Sequence, residues 1–373
     1  MGKILTQKEI AVRFNNPIMK NQVSGDQFIE NEEGEVELKG NFLGEKKYVA
    51  FEEVAIEKTK TGKKILLNIG DSSTSGWDSD LVLITRELKS KNPKFKEIFP
   101  IFNYPTYSDL MRRKIKNRLI VLNAGVPTHT SLNGIRRLKK LVTLFEKRNI
   151  KIDYVTIYYG NNDCVCNDNV EEKYRDSKIM KAIGKVRTKI ITRTSLPDFK
   201  KNIASLIALC NKNGITPILI EPVTPLYWEP GRRVKRKRFV HFDIEDKAVE
   251  QLRSHKKLHE SYKQAIELWE RGISEHKKWN IQKAIGLLEQ AKELDFITPR
   301  IKQAYVNVLG KIASENKLPY VQISIPQEND DGRAGAAYFC DYCHPIEKAN
   351  ILLANEIIKR IKQLEKGRKN GSS

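Results

Sequence analysis

Ser72, Asp341 and His344 are the residues of this chain whose types and positions best suit nucleophilic chemistry. Ser72 follows the short apolar run at residues 65–69, and His344 is the one histidine of six with an aspartate three residues before it and a helical pattern after it. A serine hydroxyl is a poor nucleophile alone, because it needs a histidine to take its proton and a carboxylate to orient that histidine. The three residues therefore predict a serine nucleophile, a histidine base and an aspartate partner.

Two further residues could stabilise the negative charge that nucleophilic attack on a carbonyl creates. Gly125 follows the apolar run at residues 119–122 and could bring a backbone N–H close to a substrate, because it has no side chain. Asn162 follows the apolar run at residues 155–159, and its side-chain amide is a hydrogen-bond donor. We expect these two groups and the N–H of Ser72 to act together.

The elements that must position these residues follow from the apolar pattern. Short apolar runs alternate with helical patterns, which predicts a parallel sheet covered on both faces, with the chemistry at the carboxyl ends of its strands. Gly70 opens the turn that places Ser72 at the start of a helix. The position of Ser72 relative to the strand favours it as nucleophile, so Ser73 and Ser75 are expected to be capping or first-turn residues of the helix. The predicted strands are residues 65–69, 119–122, 155–159, 216–220 and 320–325. The predicted helices lie near residues 79–89, 131–147 and 197–213, and a last helix is predicted to have Pro345 in its first turn.

These motifs together resemble the SGNH hydrolases, also called GDSL esterases and lipases. The four sequence blocks of that family are met in its own order by residues 70–76, 123–125, 160–163 and 341–344, and the resemblance extends over about residues 63–364. It implies an α/β fold with a three-layer flavodoxin-like parallel sheet flanked by helices. It also implies Ser72 as nucleophile, His344 as general base, Asp341 as its orienting partner, and an oxyanion hole formed by Ser72, Gly125 and Asn162.

The activity that this resemblance implies is cleavage of an O-acyl ester, with an O-acetyl ester of a polar molecule as the expected substrate. The substrate would be an ester of a small molecule or of a glycan, with an anionic substrate as one option, and no cofactor is expected. Two alternatives remain open. The same residues could transfer the acyl group to another hydroxyl, or the chain could be a non-enzymatic partner-docking protein on the same scaffold.

A long detour separates the strand at residues 216–220 from the last strand. Residues 258–296 indicate two helices whose spacing of small and apolar residues resembles one tetratricopeptide repeat. A single repeat cannot form an array, because such units bury their faces by stacking. The expected role of this helical-hairpin insertion is a lid or wall over the active site, with a docking surface for a protein partner and plain helical packing as alternatives.

The chain is strongly basic, with 67 Lys and Arg residues against 46 Asp and Glu and a formal net charge of +21. The densest basic run, at residues 231–241, predicts either a clamp for an anionic substrate or carrier, or a solvated loop. No nucleic-acid-binding module accompanies it, so nucleic acid is not the expected partner. The proposed substrate-binding residues in this run are Arg232, Arg233, Lys235 and Arg236.

Four of the five cysteines lie beside the proposed active-site motifs. Cys164 and Cys166 follow Asn162, and Cys340 and Cys343 flank Asp341. A zinc site or a disulfide is conceivable there, but reduced cysteines without a metal are the expectation.

The chain divides into a leader, an interrupted core and a tail. We predict a leader with short strands at residues 1–62, the two parts of the core at residues 63–230 and 298–365, the basic loop and helical hairpin at residues 231–297, and a tail at residues 366–373. No run approaches the length needed to cross a bilayer, and the first residues lack the apolar segment of a secretory signal. The expected location is the cytoplasm.

Overall fold

The structure is a computed structural model. It describes residues 27–30, 36–39, 58, 60–76, 105–147, 149–165, 192–231, 256–325 and 338–370, and the statements below concern these residues. The predicted helix near residues 79–89, the basic residues Arg232, Arg233, Lys235 and Arg236, and Cys166 lie outside them.

A single sheet forms the centre of the described fold, with strand order β2-β1-β4-β3-β5-β6-β7. The five strands from β3 to β7 are parallel to one another, while β1 pairs parallel with β4 and β2 pairs antiparallel with β1. The order β4-β3-β5-β6-β7 is the flavodoxin-like order that was expected. The strands are β1 (Gln27–Glu30), β2 (Val36–Lys39), β3 (Lys64–Gly70), β4 (Leu119–Asn123), β5 (Tyr154–Tyr158), β6 (Thr216–Ile220) and β7 (Tyr320–Val321).

Helices cover both faces of this sheet. Side chains of a strand point alternately to its two faces, so Ile65, Leu67 and Ile69 join one apolar core and Leu66 joins the other. Helices α3, α4 and α7 pack on the first core, and α2 and α8 pack on the second. The helices are α1 (Ser72–Ser75), α2 (Tyr107–Ile115), α3 (Ser131–Glu146), α4 (Leu196–Lys212), α5 (Lys256–Lys277), α6 (Ile281–Leu294), α7 (Gln303–Glu315) and α8 (Glu347–Asn370).

Two local predictions were wrong near the carboxyl end of the core. The last strand is limited to β7, because Ile325 leaves the sheet and packs with Phe339 and Ala349 instead. Pro345 does not lie in the first turn of α8, because it pairs across an isolated bridge with Phe339, and the helix begins at Glu347.

Helices α5 and α6 form a hairpin between β6 and α7. Gly272 of α5 lies so close to α6 that a Cβ atom there would be 2.7 Å from Leu288 Cγ, so the two helices approach closely where glycine allows it. The turn between them carries Trp279, which has a φ of +63° and is 70% exposed. Among the described helices, none is long and apolar enough to cross a membrane.

Candidate active site

Ser72 is the first residue of α1, and a single residue, Asp71, separates it from the carboxyl end of β3. The turn between them requires glycine, because a Cβ atom at Gly70 would lie 2.9 Å from the carbonyl oxygen of Tyr158. Asp71 caps the helix, since its Oδ1 accepts a hydrogen bond from the Ser73 N–H at 2.8 Å. The central strand thus delivers the serine to the sheet edge where α/β folds bind ligands.

The structure brings Ser72, His344 and Asp341 into one chain of hydrogen bonds. His344 Nε2 lies 2.7 Å from Ser72 Oγ, and His344 Nδ1 lies 2.5 Å from Asp341 Oδ2. A carboxylate can only accept, so Nδ1 carries the hydrogen and Nε2 is left to accept from the serine hydroxyl. The arrangement can therefore move the proton of Ser72 to the imidazole.

The orientation of Asp341 is fixed by its second oxygen. Oδ1 accepts the backbone N–H groups of Cys343 and His344, both at 2.9 Å, and the side chain is fully buried. The loop therefore holds the carboxylate and the imidazole in one geometry, independently of any substrate.

The two neighbouring serines have other partners. Ser73 Oγ donates to the carbonyl of Cys343 at 3.2 Å, and Ser75 Oγ donates to the carbonyl of Ser72 at 3.0 Å. These bonds stabilise the turn and tie α1 to the histidine loop.

The structure also places Gly125 against the serine turn. A Cβ atom on Gly125 would lie 2.4 Å from the backbone nitrogen of Ser75, so only glycine fits there. Its N–H donates to Asn123 Oδ1 at 3.0 Å, and Asn123 Nδ2 donates to the carbonyl of Thr74 at 2.7 Å. Asn123, whose role was not foreseen, thus locks the glycine loop onto α1.

Asn162 is buried and lies next to Asp71 of the same turn. Its Nδ2 donates to the carbonyl of His129 at 3.2 Å and faces Asp71 Oδ2 at 3.5 Å. Both distances are at or beyond the long end of the usual range, so an oxyanion could compete for these hydrogens.

The sequence matches the family model described as GDSL-like Lipase/Acylhydrolase over residues 66–357, which is most of the chain. The chain belongs to this family. It is accordingly a serine hydrolase that acts on ester bonds.

No curated protein matches the sequence significantly. Among solved structures, the chain is similar to an acetylxylan esterase from Geobacillus stearothermophilus, with 14% identity, coverage of 80% of this chain and 94% of that one, and a TM-score of 0.36. It is similar to the inhibitor-bound aryl esterase of M. smegmatis, with 14% identity, 81% and 99% coverage, and a TM-score of 0.40. It is also similar to the psychrotrophic esterase EstA of Pseudoalteromonas sp., with 11% identity, 82% and 100% coverage, and a TM-score of 0.38.

In this GDSL-family protein, a buried polar network supports the loop that carries Asn162. Asp163 accepts hydrogen bonds from the N–H of Ser131 at 3.0 Å and from its hydroxyl at 2.6 Å, which joins the loop to the first turn of α3. Asn202 of α4 donates to the same hydroxyl at 3.0 Å. Burial raises the pKa of Asp163, although the bonds from Ser131 oppose that shift. Two polar residues directly before a helical pattern, Thr130 and Ser131, are the sequence signal by which this contact could have been found.

Asp71 places a second carboxyl group beside Asn162. Burial raises its pKa from 3.8 to about 6, and the N–H of Ser73 and the proximity of His344 limit the rise. Above that pH the group adds a negative charge to the edge of the site.

The described cysteines are better explained by packing than by metal binding. Asp341, Cys343 and His344 are close enough to form a metal site, but Asp341 and Ser72 already engage both ring nitrogens of His344. Burial raises the pKa of the Cys343 thiol well above its usual value, which disfavours the thiolate that zinc needs. Cys164 faces other partners, since its Sγ donates to the carbonyl of Arg300 at 3.0 Å.

Proposed function

We propose that this protein removes a small acyl group, with acetyl as the first candidate, from a hydroxyl of a polar molecule by way of an acyl-enzyme. The single observation that carries the proposal is the continuous contact from Ser72 Oγ through His344 to Asp341. The groups around Ser72 are polar, among them Asp71 and Asn162, which suits an ester of a polar alcohol.

The mechanism follows from these contacts. Ser72 Oγ attacks the ester carbonyl while His344 Nε2 takes the hydroxyl proton, and the negative charge passes to the former carbonyl oxygen. When the tetrahedral species collapses, the imidazolium returns the proton to the departing alcohol oxygen and an acyl-serine remains. A water molecule then gives a proton to His344 and attacks the acyl-serine. As the carboxylic acid is released, the imidazolium returns that proton to Ser72 Oγ.

The proposed oxyanion donors are the N–H of Ser72, the N–H of Gly125 and the amide of Asn162. An N–H in the first turn of a helix has no partner within the helix, so that of Ser72 is suitably placed. The N–H of Gly125 must leave Asn123 Oδ1 to serve, and the amide of Asn162 must leave the carbonyl of His129.

A fluorophosphonate probe tests the proposed nucleophile. The full-length protein should become labelled on the peptide that contains Ser72, because the probe reacts with serines activated by a histidine base. The variant Ser72→Ala should not be labelled. A wild-type protein that stays unlabelled, or a Ser72→Ala variant labelled as strongly as the wild type, would refute the proposal.

Asn162→Ala tests the oxyanion hole. We expect kcat for p-nitrophenyl acetate to fall on the order of 100-fold with little change in KM, because the donor is needed mainly when charge develops in the transition state. The matched control is Asn316→Ala, which removes a side-chain amide that donates to the carbonyl of Ile312 in α7. This variant should retain wild-type kinetics. A rise in KM alone would show that Asn162 merely holds the substrate.

A further inference from the structure

A row of three aromatic rings, each in contact with the next, extends outward from the general base of the proposed active site. The Tyr342 ring meets the His344 ring edge to face at a centroid distance of 5.5 Å, and the Trp228 ring meets Tyr342 at 6.3 Å in the same manner. Tyr342 and Trp228 are half-buried, whereas His344 is buried. The two outer rings therefore form a partly open surface that begins at the general base.

The proposed chemistry determines which part of a substrate meets this surface. The departing alcohol oxygen must receive a proton from His344 Nε2, so the alcohol part leaves on the histidine side of Ser72. Tyr342 packs against that histidine. The alcohol part therefore passes next to the Tyr342 and Trp228 rings, while the acyl group remains on the serine.

We propose that Tyr342 and Trp228 bind the alcohol part of the ester and that this part is a sugar ring, an inference that rests on the proposed ester hydrolysis. A pyranose has a face of C–H groups that suits the negative face of an aromatic ring, and its edge carries hydroxyls. Tyrosine and tryptophan combine a flat apolar body with a polar handle, which matches such a ring better than a flexible aliphatic chain.

A buried ion pair holds the Trp228 end of this aromatic surface. Arg300 Nη1 donates to the carbonyls of Trp228 at 3.2 Å and Pro225 at 3.3 Å, and Arg300 Nη2 bonds Asp295 Oδ2 at 2.8 Å. Both side chains of the pair are buried. Burying an ion pair carries a desolvation cost, and here the guanidinium also fixes two carbonyls of the loop after β6. The backbone that carries Trp228 is therefore held in place by contacts within the protein.

The helical hairpin contributes to the same anchoring. Trp269 Nε1 of α5 donates to the carbonyl of Tyr227 at 3.1 Å, next to Trp228. Asp295, directly after α6, also accepts the N–H of Gly231 at 3.3 Å. The hairpin thus contacts the loop that carries Trp228, while its expected role as a lid or wall over the active site stays a prediction.

The segment that anchors Trp228 also contacts the loop of the proposed oxyanion donor. The N–H of Ile301 donates to Asn161 Oδ1 at 3.1 Å, and the thiol of Cys164 donates to the carbonyl of Arg300 at 3.0 Å. A Cβ atom at Gly160 would lie 2.4 Å from Ile301 Cδ1. The distance between the aromatic surface and Asn162 is therefore set by one segment, so a ring bound on the surface has a defined position relative to the scissile bond.

Substrate selectivity tests the assignment. We compare kcat/KM for a peracetylated methyl glucopyranoside with kcat/KM for vinyl acetate, an ester that has no ring. The ratio of the first value to the second should fall about tenfold in Trp228→Ala and by less in Trp228→Phe. The matched control is Trp279→Ala, which removes the exposed tryptophan of the hairpin turn and should leave the ratio unchanged. An equal loss on both esters, or a wild type that cleaves vinyl acetate but no acetylated glycoside, would overturn the assignment.

A binding measurement separates this inference from the proposed chemistry. The variant Ser72→Ala should bind the acetylated glycoside in calorimetric titration. Adding Trp228→Ala to this variant should raise the Kd about tenfold. Equal affinity in the two variants would overturn the role of Trp228 even if the ester is cleaved normally. Failure of the wild type to cleave either ester or to react with the fluorophosphonate would instead refute ester hydrolysis at Ser72.

Discussion

Ser72→Ala should lower kcat for p-nitrophenyl acetate on the order of 10⁵-fold or more, because the acyl-enzyme cannot form without the hydroxyl. The melting temperature should change little, because the residue sits at the rim of the sheet and the substitution removes one oxygen atom. The measurement is release of p-nitrophenol, corrected for spontaneous hydrolysis, together with a thermal unfolding curve of the same preparation.

Ser73→Ala is the control for this variant. Its hydroxyl bonds the carbonyl of Cys343 rather than an imidazole nitrogen, so the loss of activity should be small beside that of Ser72→Ala. Activity that persists in Ser72→Ala and disappears in Ser73→Ala would move the nucleophile by one residue.

Asp341→Asn should lower kcat on the order of 10⁴-fold. An asparagine at this position would keep its Oδ1 on the N–H groups of Cys343 and His344, so its Nδ2 would face His344 Nδ1. Because Nδ2 donates, Nδ1 would become the acceptor and Nε2 would carry the hydrogen. The imidazole would then be in the wrong tautomer to take the proton of Ser72.

The control for that substitution is Asp198→Asn, which changes a half-buried aspartate in the first turn of α4. It should leave kcat close to that of the wild type. The double variant Ser72→Ala with Asp341→Asn should be no slower than Ser72→Ala alone, because the members of such a unit do not contribute additively. A loss of less than tenfold in Asp341→Asn would show that the aspartate does not orient the base.

The parallel strands of the core were predictable from the sequence because their signal is local. Strands β3 and β5 are buried on both faces, so each is a mostly apolar run, interrupted by Asn68 in β3 and by Thr156 in β5. The extent of the last strand was less predictable. The run at residues 320–325 contains Ile323 and Ile325, which have the composition of a strand, but a small core with Phe339 draws them out of the sheet.

Contacts between distant segments could not be predicted in the same way. Trp228 and Tyr342 are separated by more than a hundred residues, and although Tyr342 lies within the block at residues 341–344, Trp228 lies in no recognisable motif. Their contact depends on the loop after β6 being held by Arg300, whose partner Asp295 lies at the end of the hairpin. No local spacing encodes a bond between a guanidinium and a carbonyl some 70 residues away in the chain.

The sequence by itself determined the family of this protein, the identity of the proposed nucleophile and base, and the strands that carry them, because these depend on residue type and short spacing. The tertiary structure decided how closely Ser72 approaches His344 and which acceptors bind the N–H of Gly125 and the amide of Asn162. It also decided which aromatic rings border the site. These features depend on packing between segments far apart in sequence, where a shift of one ångström makes or breaks a hydrogen bond.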